Sequence, residues 1–92
     1  MLFSYTSVFA SPNRNLFFLD AGIGAGCVTF AILNELQKSR GIGLDISKKT
    51  LSNAKKNLQK FKNRVKLIQK PIDEIRNIKL DLIVSNPPYV VK

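Results

Sequence analysis

The amino-acid sequence predicts an α/β fold on a parallel sheet, and three observations lead there. Short apolar runs of strand length alternate with longer runs of helix length. The first strand-length run, Leu16-Phe17-Phe18-Leu19, breaks at Asp20-Ala21 into the alternating glycines of Gly22-Ile23-Gly24-Ala25-Gly26. The last, Leu80-Asp81-Leu82-Ile83-Val84-Ser85, runs straight into Asn86-Pro87-Pro88-Tyr89. Strands joined through helices demand right-handed crossovers, and those make neighbouring strands parallel.

The chain has 92 residues, enough for one small domain. Residues 1–15 show no period, and Ser11-Pro12-Asn13-Arg14-Asn15 is a loop by composition, so 1–15 is expected to be a lead-in and 16–92 the domain proper. The first strand is expected at Leu16–Leu19: four large apolar residues closed by a turn signal fit a strand buried on both faces. The glycine loop follows, where missing Cβ atoms let backbone N–H groups approach a ligand and the next helix start adds partial positive charge. That helix is expected from Cys27 to about Lys38, with Gly41 closing it.

Ile42–Ser47 reads as a second strand ending in Asp45, which lies nineteen residues past Gly26. An acid at about that separation reaches vicinal ribose hydroxyls and can accept a hydrogen bond from each of the two. Ser47 is placed to cap a helix in which Leu51, Ala54, Leu58 and Phe61 form the buried stripe. Val65–Ile68 is a third strand at the sheet edge, Pro71–Asn77 a short helical turn, and Leu80–Ser85 a fourth strand, read as buried. With the first strand between the second and fourth, the order is 3-2-1-4. The topological switch, where ligands bind in such sheets, then lies between the first and fourth strands.

Composition narrows the chemistry. An apolar content of 45% and mean hydropathy of −0.02 describe a globular chain rather than a disordered one. No stretch approaches the roughly 18 apolar residues of a membrane span, and no Lys or Arg precedes the apolar start as in a signal peptide. The expected location is cytoplasmic, with no membrane partner. The chain has no histidine and a single cysteine, Cys27. That argues against a protein-built zinc site, removes the commonest general base, and leaves Cys27 to pack its helix.

The net charge of +9 is the footprint of a nucleic-acid partner. Most of it, however, lies in Lys48, Lys49, Lys55, Lys56, Lys60, Lys62, Arg64, Lys66 and Lys70, with few aromatic residues interleaved. These read as one solvated face, and nucleic acid stays the second-ranked partner.

The glycine spacing is not that of a dinucleotide fingerprint, because the third glycine would fall at Cys27 or Thr29. Asp20-x-Gly22-x-Gly24-x-Gly26 instead resembles the first motif of S-adenosylmethionine-dependent methyltransferases. The Asn86-Pro87-Pro88-Tyr89 tetrapeptide supplies the other half. Its prolines hold the Asn side chain and the nearby carbonyl rigid. An –NH2 group can then donate to the Asn86 side-chain oxygen and to the Pro87 carbonyl, with Tyr89 against the substrate plane. Attack on a sulfonium methyl has a neutral leaving group, so positioning and carbonyl dipoles carry much of the work.

Together, Asp20–Gly26, Gly43–Ser47 and Asp81–Val90 are similar to the HemK (PrmC) family, the peptide chain release factor N5-glutamine methyltransferases. The resemblance spans Leu16 to Val91. It implies a Rossmann-like S-adenosylmethionine-dependent methyltransferase fold, N-terminal half only, with S-adenosyl-L-methionine as cofactor. Cofactor contacts would come from Asp20, Gly22, Ile23, Gly24, Ala25, Gly26, Asp45, Ile46 and Asn86, with Asp45 on the ribose and Ile46 on the adenine. Asn86, Pro87, Pro88 and Tyr89 would hold the glutamine of a release factor's Gly-Gly-Gln loop, with Asn86, Pro87 and Tyr89 catalytic.

This chain has Ile23 and Ala25 where the family has small hydroxylated residues, and Lys70-Pro71-Ile72 where it has Gly-Asp and an aromatic. The family's helical recognition domain and its later strands have no counterpart here, so the chain reads as a fragment. The alternatives are N-methylation of RNA or DNA bases, and a non-catalytic cofactor-binding remnant.

Overall fold

A computed structural model describes residues 15–85; residues 1–14 of the lead-in and the tetrapeptide Asn86, Pro87, Pro88, Tyr89 lie outside the described residues. The described chain forms a four-stranded parallel sheet, β1 (Phe17–Ala21), β2 (Arg40–Leu44), β3 (Val65–Ile68) and β4 (Leu82–Ser85), in the order β3-β2-β1-β4. That is the expected order. Helix α1 (Cys27–Glu35) links β1 to β2, and helix α2 (Lys48–Asn57) with a 3-10 turn at Gln59–Phe61 leads from β2 to β3.

β1 is the central strand, and its apolar run serves both faces because successive side chains point opposite ways. Phe18, 0% exposed, joins Leu16, Ile23, Ile32, Leu33, Leu36, Ala54, Leu58 and Phe61, a core to which both helices contribute. Leu19 joins Ile42 and Leu44 in a second cluster, packed by Ile75 and Leu80 from the connection between β3 and β4. Burying one such side chain stabilises the fold by about 1.5–3 kcal/mol. β1 extends to Ala21, beyond the expected Leu19, because the ladders to Leu44 and Ser85 continue through Asp20.

Helix α1 ends at Glu35, short of the expected Lys38. Its last carbonyls are taken by groups from outside the helix. Ser39 Oγ donates to Leu36 O at 2.6 Å, and Arg64 Nη2 donates to Leu33 O at 2.9 Å and Leu36 O at 2.8 Å. Arg64 is therefore a helix cap and leaves the solvated cationic face to which its sequence position assigned it. Gly41, expected at the helix end, sits inside β2 instead. A Cβ there would lie 2.6 Å from Phe18 Cε2, so the glycine makes room for the ring that fills the core.

In α2, Ser47 caps the N-terminus by accepting the Thr50 N–H at 3.1 Å, as expected. Ala54, Leu58 and Phe61 are buried beneath it. β4 is shorter than expected, since Asp81 ties the two strands just ahead of it: its carboxylate accepts the Phe17 N–H at 2.8 Å, and its own N–H donates to Phe17 O at 2.8 Å. β4 forms an edge of the described sheet, as the order 3-2-1-4 requires, and its residues are half-buried or exposed, Ile83 being 55% exposed, where the sequence reading expects a buried strand.

Candidate functional site

At the C-terminal ends of β1 and β2 the chain encloses a cleft of about 530 Å³, within the range of about 300–1,000 Å³ typical of small-molecule sites. Asp20, Gly22, Ile23, Gly24, Ala25, Asp45 and Ile46, all singled out in the sequence, line it. Cys27, Val28 and Thr50 line it as well. Cys27 is exposed at the first residue of α1 rather than packed, since the helix begins at the cleft and the residues it buries are Thr29, Ile32 and Leu33. Gly26 is buried behind the loop at φ 89°, opening α1 against Leu58.

The glycine loop uses its N–H groups differently from expectation. Gly22 and Ile23 both donate to Leu44 O at 2.8 Å, Gly26 donates to Ile23 O at 3.0 Å, and Gly24 donates to Asp45 Oδ2 at 3.2 Å. Four loop donors are thus held inside the protein. The glycines set the backbone path, with φ of 75° at Gly22 and 59° at Gly24, values that disfavour any side chain. Asn57 Nδ2 donates to Ala25 O at 2.9 Å, fastening the loop to the end of α2.

Asp45 stands just past β2. Its Oδ1 accepts the Ser47 N–H at 3.0 Å while Oδ2 holds Gly24, so it turns the chain into α2 and anchors the loop at once. Each carboxylate oxygen keeps a lone pair for a further donor. Ile46 is 70% exposed, an apolar side chain lying in the cleft wall, and its carbonyl is held by Gln69 Nε2 at 3.1 Å. Asp20, 1% exposed, accepts the Thr29 hydroxyl at 2.6 Å on Oδ2. Burial pushes the Asp20 carboxyl above the usual carboxylate range; the Thr29 hydrogen bond works against this, and the nearby Asp45 charge adds to it.

Sequence reasoning missed Thr29, Thr50 and Val28. Thr29 sits on α1 one turn beyond the glycines, where a buried hydroxyl facing the strand-end acid is the only local signal. The described lining offers two carboxylates, a hydroxyl and apolar walls, and no Lys or Arg. Such a donor set fits a ligand carrying vicinal hydroxyls, an apolar ring and a cationic centre. Among the described residues no group of His, Cys, Asp or Glu could hold a metal ion.

Known proteins agree with this architecture. The family model described as the MraW methylase family matches residues 2–90. A release factor glutamine methyltransferase from Flavobacterium psychrophilum is 38% identical over 82 residues, 87% of this chain and 29% of that protein. The structure of PKMT2 from Rickettsia typhi in complex with AdoHcy superposes with a TM-score of 0.68 at 30% identity, covering 77% of this chain and 14% of that one. A candidate RNA methyltransferase from Pyrococcus horikoshii has a TM-score of 0.77 at 23% identity, over 91% of this chain and 41% of that chain, which shows the shared fold. The chain spans less than a third of the length of the Flavobacterium relative.

Proposed function

On the premise that the chain belongs to the MraW methylase family, we propose that its cleft holds S-adenosylmethionine and that the enzyme methylates the glutamine amide nitrogen of a peptide chain release factor. The observation that carries this reading is the pairing of Ala21 with Ser85. Gly22–Gly26 and Asn86–Tyr89, the two stretches that bear the motifs, each follow directly on this adjacent pair. The likeness to a release factor glutamine methyltransferase supports the substrate.

When bound, S-adenosylmethionine supplies a methyl group on a positively charged sulfur with a neutral thioether as leaving group. The chain's residues do the rest by positioning. Asp45 accepts ribose hydroxyls, Ile46 packs the adenine, and the Gly22–Gly26 loop with Asp20 borders the amino-acid end. Asn86 and the Pro87 carbonyl each accept one hydrogen of the glutamine –NH2, and Pro88 and Tyr89 hold the amide plane. This aims the nitrogen lone pair without a general base. In this reading residues 16–92 are a partial methyltransferase domain, 1–15 a lead-in, and the protein is cytoplasmic. No helix of the described residues is long and apolar enough to cross a membrane.

Incubation of the purified chain with S-adenosylmethionine and a release factor, followed by mass spectrometry, tests the reading. A gain of one methyl on the Gly-Gly-Gln glutamine supports it. No methyl on the factor, together with methylated bases in an RNA or DNA control, moves the substrate to nucleic acid. The exposed lysines at positions 48, 49, 55, 56, 60, 62, 66 and 70, with no acid between Ile46 and Ile72, favour that second reading. Cofactor binding without methylation of either leaves a non-catalytic remnant.

A further inference from the structure

The net charge of +9 sits in one segment. Between Asp45 and Asp73 the chain carries nine of its fifteen Lys and Arg residues and none of its six acids, so the remainder is neutral overall. Arg64 is engaged at the end of α1, and the lysines of the segment are all exposed. Lys48, Lys49, Lys55 and Lys56 stand on α2, and Lys60 in the turn that follows.

Folding alone does not account for this. Lys48 and Lys49 occupy the first turn of α2, which holds no acid. That end of a helix carries partial positive charge and is stabilised by carboxylates. A surface shaped only for solubility mixes the two signs. Here an external polyanion would relieve the repulsion.

The exposed aromatic surface that the segment lacks arrives from α1. Phe30, 36% exposed, sets its ring against the buried Phe61 at a centroid distance of 5.1 Å and an interplanar angle of 76°. Lys60 Nζ stands 5.5 Å from the centre of the Phe30 ring and 5.2 Å from that of Phe61. A partly open ring and a cationic head thus meet past the end of α2. Lys49 and Lys56 continue the charge for about 10 Å along the helix, on the side away from buried Ala54.

We propose that this face docks single-stranded RNA, with phosphates on the α2 lysines and a base against Phe30. Cations strung along a helix track a backbone, and an aromatic ring takes the face of any base. A duplex keeps its bases stacked inside, whereas RNA loops and bulges present them unpaired. An anionic membrane fits less well, because Ala54 and Leu58, the apolar residues beneath this face, are turned into the core. None of these lysines, nor Phe30, lines the cleft. The docking is therefore separate from the site of methyl transfer and holds whichever substrate receives the methyl.

Fluorescence anisotropy of the full chain with a labelled single-stranded RNA of about 12 nucleotides tests this. Contact with about four phosphates gives a slope of about −3 in log affinity against log salt concentration. Lys49→Gln combined with Lys56→Gln is expected to flatten that slope by about 1.4. Phe30→Leu is expected to weaken binding about fivefold or more at unchanged slope. Saturating S-adenosylhomocysteine should leave the affinity for RNA unchanged. No binding, a slope unmoved by the lysine variant, or an affinity unmoved by a folded Phe30→Leu would overturn the proposal. So would duplex DNA, polyglutamate or phosphatidylglycerol vesicles binding as tightly as the RNA. Displacement of the RNA by S-adenosylhomocysteine would move it into the cleft and equally overturn a separate docking face. Should Phe30→Leu fail to fold, the lysine variant decides, since it alters exposed side chains alone.

Discussion

Asp45 Oδ2 accepts the backbone N–H of Gly24 across 3.2 Å, joining the end of the second strand to the middle of the glycine loop. The acid marked by its spacing as a ribose acceptor therefore has a prior task, which is to hold the loop in place before any ligand arrives.

Asp45→Ala is expected to weaken S-adenosylhomocysteine binding by roughly 10- to 150-fold, the equivalent of about 1.5–3 kcal/mol for lost hydrogen bonds to a charged acceptor. Asp45→Asn, which keeps one acceptor oxygen, should lose less. Isothermal titration calorimetry reads both, and equal binding by Asp45→Ala and the unaltered chain would refute the dual role.

Gly41→Ala puts a methyl group against the Phe18 ring, where 2.6 Å separates the Cβ position from Cε2. Overpacking at this central site should cost about 1–3 kcal/mol. Urea denaturation followed by circular dichroism measures it, and the double variant Gly41→Ala with Phe18→Leu should recover part of the loss.

Arg64→Ala leaves the Leu33, Leu36 and Ser39 carbonyls without their guanidinium donor. A loss of about 1.5–3 kcal/mol is expected for charge-assisted bonds of this kind. Lys66→Ala, an exposed change on the neighbouring strand, should stay within about 0.5 kcal/mol of the unaltered chain. Denaturation curves of the two side by side separate a capping role from generic loss of charge.

Asp20 titrates at a higher pH folded than unfolded, so the native state binds more protons in the interval between the two values. Its contribution to stability is complete below the unfolded value of about 3.9 and is lost as pH rises through the raised folded value. Asp20→Asn should flatten that fall. Thr29→Val, which removes the hydrogen bond favouring the charged form, should extend it to higher pH. Stability measured by denaturation at a series of pH values gives the slopes.

The fold was largely legible before any coordinates. Alternating runs fixed parallel strands, Val65–Ile68 emerged within its expected bounds, and Ser47 capped α2 as its position implied. Asp45 and the Gly22–Ala25 loop meet in one cleft, as their spacing suggested. Less legible were roles that depend on what arrives from elsewhere in the chain. Nothing local distinguishes Arg64 from the lysines around it until Leu33, Leu36 and Ser39 are brought to its guanidinium. Gly41 looks like a helix end until the Phe18 ring fills the space above it. Cys27 looks like core until the helix start is seen to open onto the cleft.

The sequence by itself determined which runs become strands and helices and that the strands run parallel, because apolar period, turn residues and crossover handedness act over short stretches of chain; the order 3-2-1-4 followed only on placing the first strand between the second and fourth, as the sheet does. Only the tertiary structure decided how those groups are held: Gly24 on Asp45, Thr29 on Asp20, Arg64 at the end of α1. Hydrogen bonds of that kind join residues 9 to 31 positions apart, and their partners are chosen by packing, which no local pattern encodes.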